Sequence, residues 1–63
     1  MFIDLKKITN KFDTIEDAGI IAVIKIENEE IIIHNYGEIL FKTLTDIEKI
    51  KILAKKIYDL GKA

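Results

Sequence analysis

Few side chains in this sequence could do chemistry, and their spacing builds no reactive centre. There is one histidine, His34, and there is neither cysteine nor serine. No Ser–His or Cys–His pair can therefore be assembled to make a nucleophile. No glycine-rich loop is present to cradle a phosphate. A lone imidazole does not hold a metal. Glu27, Glu29 and Glu30 gather carboxylates in one short stretch, but a hard cation needs a loop that folds several oxygens inward. These residues sit where a tight hairpin turn is expected, so solvated charges that discourage edge-to-edge aggregation are the expectation. Acid–base work by paired carboxylates needs a pocket that drives their pKa values apart, and a chain this small offers none. The residues point to a non-enzymatic protein with no catalytic, metal or cofactor site and no small-molecule ligand.

Composition narrows the partners. The 63 residues carry a net charge of −1, with 49% hydrophobic and 33% charged residues. That describes one small globular domain, 1–63, and not a disordered segment. A chain of this length buries only about 60% of the surface that its unfolded form exposes, so its core is marginal. All ten basic residues are lysine. Arginine is the usual reader of guanine and phosphate, and its absence counts against sequence-specific DNA recognition. No apolar run reaches membrane-spanning length and no secretory signal pattern opens the chain, so a cytoplasmic location without a membrane partner is expected. The excess of Ile, Lys and Glu, with no Cys or Gln, suits a thermophile with an AT-rich genome.

The elements that position these side chains are legible from periodicity. Asp4 suits an N-cap for a helix from Leu5 to Phe12, with Leu5, Ile8 and Phe12 as its buried stripe. Asp13 to Asp17 reads as a turn, and Ala18-Gly19 as a breaker. Strands follow at Ile20 to Glu27, Glu30 to His34 and Ile39 to Thr43. A hairpin turn at Asn28 and a second turn at Asn35-Tyr36-Gly37-Glu38 join them. Thr45 and Glu48 read as a capping box for a helix from Asp46 to Leu60, and Gly61 as its stop. Ile47, Ile50, Leu53, Ala54, Ile57 and Leu60 form its apolar stripe, with Ile52 off it. Lys49, Lys51, Lys55, Lys56 and Lys62 give it a solvated basic side.

The expected fold is α+β, a three-stranded antiparallel meander with two helices on one face, in the order α-β-β-β-α. Ile20, Ala22, Ile24 and Ile26 would face the helices. The opposite face would carry Ile21, Val23, Lys25, Ile32, His34, Leu40 and Lys42. One layer of helices covers one face only, so aliphatic residues are left over on the other. A contiguous apolar patch of that kind usually marks an interaction site. His34 reads first as an ordinary exposed strand residue and second as a partner contact or pH-sensitive interface residue.

Four stretches carry a family resemblance: Asp4-Leu5-Lys6-Lys7-Ile8, Ala22-Val23-Ile24-Lys25-Ile26, Ile31-Ile32-Ile33-His34-Asn35-Tyr36-Gly37-Glu38-Ile39-Leu40, and Ala54-Lys55-Lys56-Ile57. Together they resemble one half-repeat of the TATA-box-binding protein (TBP-like) fold, from about Ile3 to Gly61. The family's repeat is longer and opens with a further strand. The resemblance implies that the open sheet face is the binding face, which in the family widens the DNA minor groove with inserted Phe wedges. Here one wedge position is His34 and the other falls near Gly19, and a basic position after the turn glycine is Glu38. The hairpin nearest the DNA would be the acidic Glu27-Asn28-Glu29-Glu30, which repels phosphate.

The expected function is a small binding module acting through Ile21, Val23, Lys25, Ile32, His34, Leu40 and Lys42. Its expected partner is another protein or a second copy in a homodimer. Weak, transcription-related DNA binding through the same face is the alternative, and docking through the Lys-rich helix is a third reading.

Overall fold

Asp4 starts the first helix as its sequence position implies. Its carboxylate accepts from the Lys6 backbone N–H at 3.1 Å, satisfying one donor that the helix itself leaves free. A computed structural model of the protein describes residues 2–62. The end residues of the 1–63 domain reading, Met1 and Ala63, lie outside the described residues. The chain runs through α1 (Leu5–Thr9), β1 (Asp13–Asp17), β2 (Ile21–Ile26), β3 (Glu29–His34), β4 (Ile39–Phe41) and α2 (Ile47–Leu60). The strands form one antiparallel meander in the order β1-β2-β3-β4, and the helices pack on one of its faces.

The α+β class and the helix-on-one-face layering are those expected, but the sheet has four strands, not three. Asp13–Asp17, expected as a turn, is an edge strand paired with β2. Every one of its residues is exposed. Hydrophobic alternation reports burial, and a strand that buries nothing leaves no such pattern while its backbone still pairs. The register slips between Thr14 and Glu16, leaving Ile15 as the extra residue of a β-bulge. The bulge and three acidic residues blunt this edge against further pairing.

Alternation holds in the centre of the sheet. Ala22, Ile24 and Ile26 on β2 and Ile31 and Ile33 on β3 are buried, and they meet Leu5 and Ile8 of α1 and Leu53 and Ile57 of α2. Ile8, Ile24, Ile31, Ile33 and Ile57 are the largest fully buried side chains. Each stabilises by roughly 1.5–3 kcal/mol relative to exposure. Ile20, expected among them, is 64% exposed, because β2 begins one residue later, where the chain turns in from β1. The β2–β3 hairpin is held by Glu27 and Asn28, both at positive φ (51° and 70°). Two such residues make the tight turn whose twist matches the strands. Gly37, at φ 105°, turns β3 into β4.

The helices also depart from expectation in detail. α1 ends at Thr9, since Asn10 caps it, yet Phe12 still packs partly buried against the core. The N-cap of α2 is Asp46, not Thr45: its carboxylate accepts from the backbone N–H groups of Glu48 and Lys49 at 3.1 and 3.3 Å. A carboxylate also complements the positive end of the helix. Ile47, placed on the buried stripe, is 65% exposed. At 100° per residue it stands about 120° around the helix from Leu53, outside the seated arc. Gly61 does end α2, but at φ −93° and not in the left-handed region. Its reason is a close approach. A Cβ there would stand 2.6 Å from Cγ2 of Ile3, which bridges to Lys62 and is buried.

Candidate functional site

The open face of the sheet is a grid set by register. Residues paired across antiparallel strands share a face, so Val23, Ile32 and Leu40 form one row across β2, β3 and β4. Glu16 continues that row on β1 opposite Val23. Ile15 precedes it and alternates away from Thr14, which pairs with buried Ile24, so the bulge turns Ile15 toward the open face as well. On one side of this apolar row lie Ala18, Ile21, His34 and Glu38. They are joined by the Ile21–His34 pair and by backbone bonds from Ala18 N–H to Ile21 and from His34 N–H to Glu38. On the other side lie Asp13, Lys25, Glu30 and Lys42.

Apart from Glu16 at its β1 end the middle row is apolar and partly open: Val23 and Ile32 are half-buried, while Leu40 is 46% and the bulged Ile15 53% exposed. Among the described residues no helix reaches this side, since α1 and α2 are both packed against the buried face. The Asp13–Lys25–Glu30–Lys42 row alternates in sign from edge to edge. Lys42 Nζ lies 3.3 Å from Glu30 Oε1, and Lys25 stands between Asp13 and Glu30.

The third row carries the polar corner. His34 Nδ1 is 3.9 Å from Glu38 Oε1. Tyr36 donates its hydroxyl to the same oxygen at 3.3 Å, and its ring meets that of His34 edge-on at 5.0 Å. Desolvation, followed by the charge and hydrogen bond of Glu38, raises the Tyr36 pKa above its ordinary value of 10.0.

All seven expected face residues lie on this grid. Sequence reasoning missed Asp13, Ile15, Glu16, Glu30 and Glu38. Glu30 has the parity of Ile32 and His34, so that signal was present. Glu38 follows from the register through the Gly37 turn. The β1 residues gave no signal. The three hairpin glutamates diverge: Glu27 pairs with Lys49 at 3.2 Å, Glu29 accepts from Thr43 Oγ1 at 2.9 Å, and Glu30 takes Lys42. Among the described residues no group of three His, Cys, Asp or Glu is placed to hold a metal ion.

The helix layer presents two lesser features. Lysines on α2 are engaged locally, with Lys55 Nζ 2.7 Å from Asp59 Oδ2, an ion pair that lowers the Asp59 pKa. A shallow depression of about 340 Å³ lies between Lys11 and Phe12 and the last turns of α2, with Lys56 Nζ 5.7 Å above the Phe12 ring. No helix among the described residues is long and apolar enough to cross a membrane. No protein-family model, curated protein or solved structure matches the chain.

Proposed function

We propose that this protein is a non-enzymatic binding module that docks another protein surface on the open face of its sheet. The observation that carries this is the partly exposed aliphatic group Ile15, Val23, Ile32 and Leu40, with Glu16 at its β1 end. No helix among the described residues covers it, and it lies between the charged row Asp13–Lys25–Glu30–Lys42 and a row that ends in His34 and Glu38. An apolar centre with a polar rim is the usual anatomy of a protein interface. On this reading the TBP-like half-repeat that the sequence resembles is the scaffold on which that face is built.

Electrostatics favours protein over DNA. Four carboxylates, Asp13, Glu16, Glu30 and Glu38, share the face with two lysines, Lys25 and Lys42. Lys42 is already paired, and Lys25 is flanked on both sides by acids. Phosphate binding depends on cations that can replace released counterions, and here they are neutralised in place.

The test is Ile32→Lys, followed by backbone amide NMR over a dilution series and with an added AT-rich duplex. Where the partner is a second copy, the wild type should show concentration-dependent shifts confined to the grid residues; where it is a different protein, dilution should leave the spectrum unchanged. Ile32→Lys should remove them while leaving the helical circular dichroism unchanged. Shifts that appear only with the duplex and reverse with salt would transfer the function to nucleic acid. Shifts on the outer side of α2 instead, or unfolding of Ile32→Lys, would overturn the sheet-face function.

A further inference from the structure

The charge pattern of the grid names an occupant. A row that alternates in sign with an even number of members is complementary to its own reverse. The Asp13–Lys25–Glu30–Lys42 row is such a row. We infer that a second copy of this chain packs on the open face, about a two-fold axis that runs parallel to the strands between β2 and β3. This rests on the sheet-face function proposed above and adds its partner and geometry.

A two-fold axis in that direction lays β1 over the partner's β4, and β2 over the partner's β3. Asp13 then meets the partner's Lys42, and Lys25 meets the partner's Glu30. Symmetry repeats both pairs, because an isologous contact occurs twice. In the middle row Val23 meets the partner's Ile32, and Glu16, with the bulged Ile15 beside it, meets the partner's Leu40 at the edge of the plate, where its carboxylate can stay in water. In the third row Ile21 meets the partner's His34. Every ionic contact joins opposite signs. The other in-plane axis, along the apolar row, joins Lys42 to the partner's Glu38 and Glu30 to the partner's His34, but it places Glu16 on the partner's Glu16, seats the Lys25 ammonium over the partner's Ile21 and leaves Asp13 facing the partner's Ala18, so it does worse. Aligned sheets pack about 30° apart because each is twisted, an offset that Lys and Asp or Glu side chains can span.

Size sets the strength. Four strands about 4.8 Å apart and three rows about 6.6 Å apart make a plate of roughly 15–20 Å on a side. The two copies together bury less than the roughly 1,200 Å² of a stable complex, so the dimer is expected to form and separate reversibly.

The experiment uses charge reversal at the two ends of the row, Asp13→Lys and Lys42→Glu, with sedimentation equilibrium from about 10 µM to about 1 mM. Each variant alone should weaken self-association about tenfold or more, since a like-charge contact appears twice. Mixing the two variants in equal amounts should restore it. One then carries lysine at both ends and the other carries acid at both. Mixing cannot repair a disturbance inside a chain, such as the carboxylate that Lys42→Glu sets beside Glu30, so rescue is specific to contact between chains.

If reversal disturbs folding, as read by circular dichroism, the neutral pair Asp13→Asn and Lys42→Gln serves instead. Each should weaken the dimer, and the double variant should be no weaker than either single. A wild type that stays monomeric throughout overturns the second-copy inference and leaves the face open to a different protein. A dimer that Ile32→Lys abolishes but that shows no rescue on mixing overturns the two-fold arrangement while the sheet-face function stands.

Discussion

Gly61→Ala should destabilise the protein, although alanine favours helices and the backbone there has no need of glycine. At φ −93° an alanine is unstrained. Taken alone, the substitution would stabilise by about 0.4–1 kcal/mol, because it restricts the unfolded chain. The space decides otherwise. The new methyl would stand 2.6 Å from Cγ2 of Ile3, 3.1 Å from Cδ1 of Ile8 and 3.2 Å from the Ile57 carbonyl oxygen. Ile3 is 3% and Ile8 0% exposed, so neither has an empty place to move into. Ile3 is also tied by its N–H to the Asn35 carbonyl at 2.7 Å, and the Asp4 N–H to the Gly61 carbonyl at 2.7 Å. Overpacking of this kind costs roughly 1–3 kcal/mol; with Ile3 and Ile8 both buried the upper half of that range applies, which leaves a net loss of about 1–2 kcal/mol after the offset.

A domain of 63 residues has a total stability of roughly 3–9 kcal/mol, so the change is a large share of it. Thermal unfolding followed by circular dichroism should show the midpoint fall by about 5–15 °C. Ile3→Ala removes the clashing methyl, so the two substitutions together should be less damaging than the sum of each alone. A Gly61→Ala variant with an unchanged or higher midpoint while Ile3 is intact would refute the close approach of the N-terminal segment to the end of α2.

The other perturbations are simpler. Asp46→Ala should lower stability by about 1 kcal/mol through loss of the N-cap, and Thr45→Ala should change little, as read from denaturant midpoints; the reverse order would restore Thr45 as the cap. Tyr36, whose folded pKa is raised, favours the fold in its neutral form. That contribution is complete below the ordinary tyrosine value and is lost as pH rises through the folded value. Glu38→Gln should bring the Tyr36 ring titration, followed by NMR, down toward the ordinary value, and an unmoved titration would separate Tyr36 from Glu38.

What was legible in the sequence follows from which forces leave a pattern. Ala22, Ile24 and Ile26 alternate with Val23 and Lys25, and burial of one face writes that alternation directly. The turns at Asn28 and Gly37 were legible because positive φ favours Asn and Gly, whereas Glu27, read as the end of the strand, is in fact the first residue of the turn and its type gave no such signal. β1 was not legible, because a strand held by backbone hydrogen bonds at an exposed edge places no demand on its side chains. The cap of α2 was displaced by one residue because Thr45 and Asp46 are both good caps, and only geometry chooses between them. The core role of Ile3 left one trace, the glycine at position 61, which reads as a helix stop until its neighbour is known.

The missing strand is also what completes the candidate site. Without β1 the charged row is Lys25–Glu30–Lys42, an odd row that is not complementary to its own reverse and carries a net positive charge. That is why Lys25 and Lys42 read from the sequence as a polar margin that could have suited phosphate. Adding Asp13 makes the row even, neutral and self-complementary, and the bulge at Ile15 adds a fourth aliphatic position to the apolar row. On the proposed function, one exposed strand with no buried residue therefore turns the face from one that could have drawn an anion into one suited to another protein.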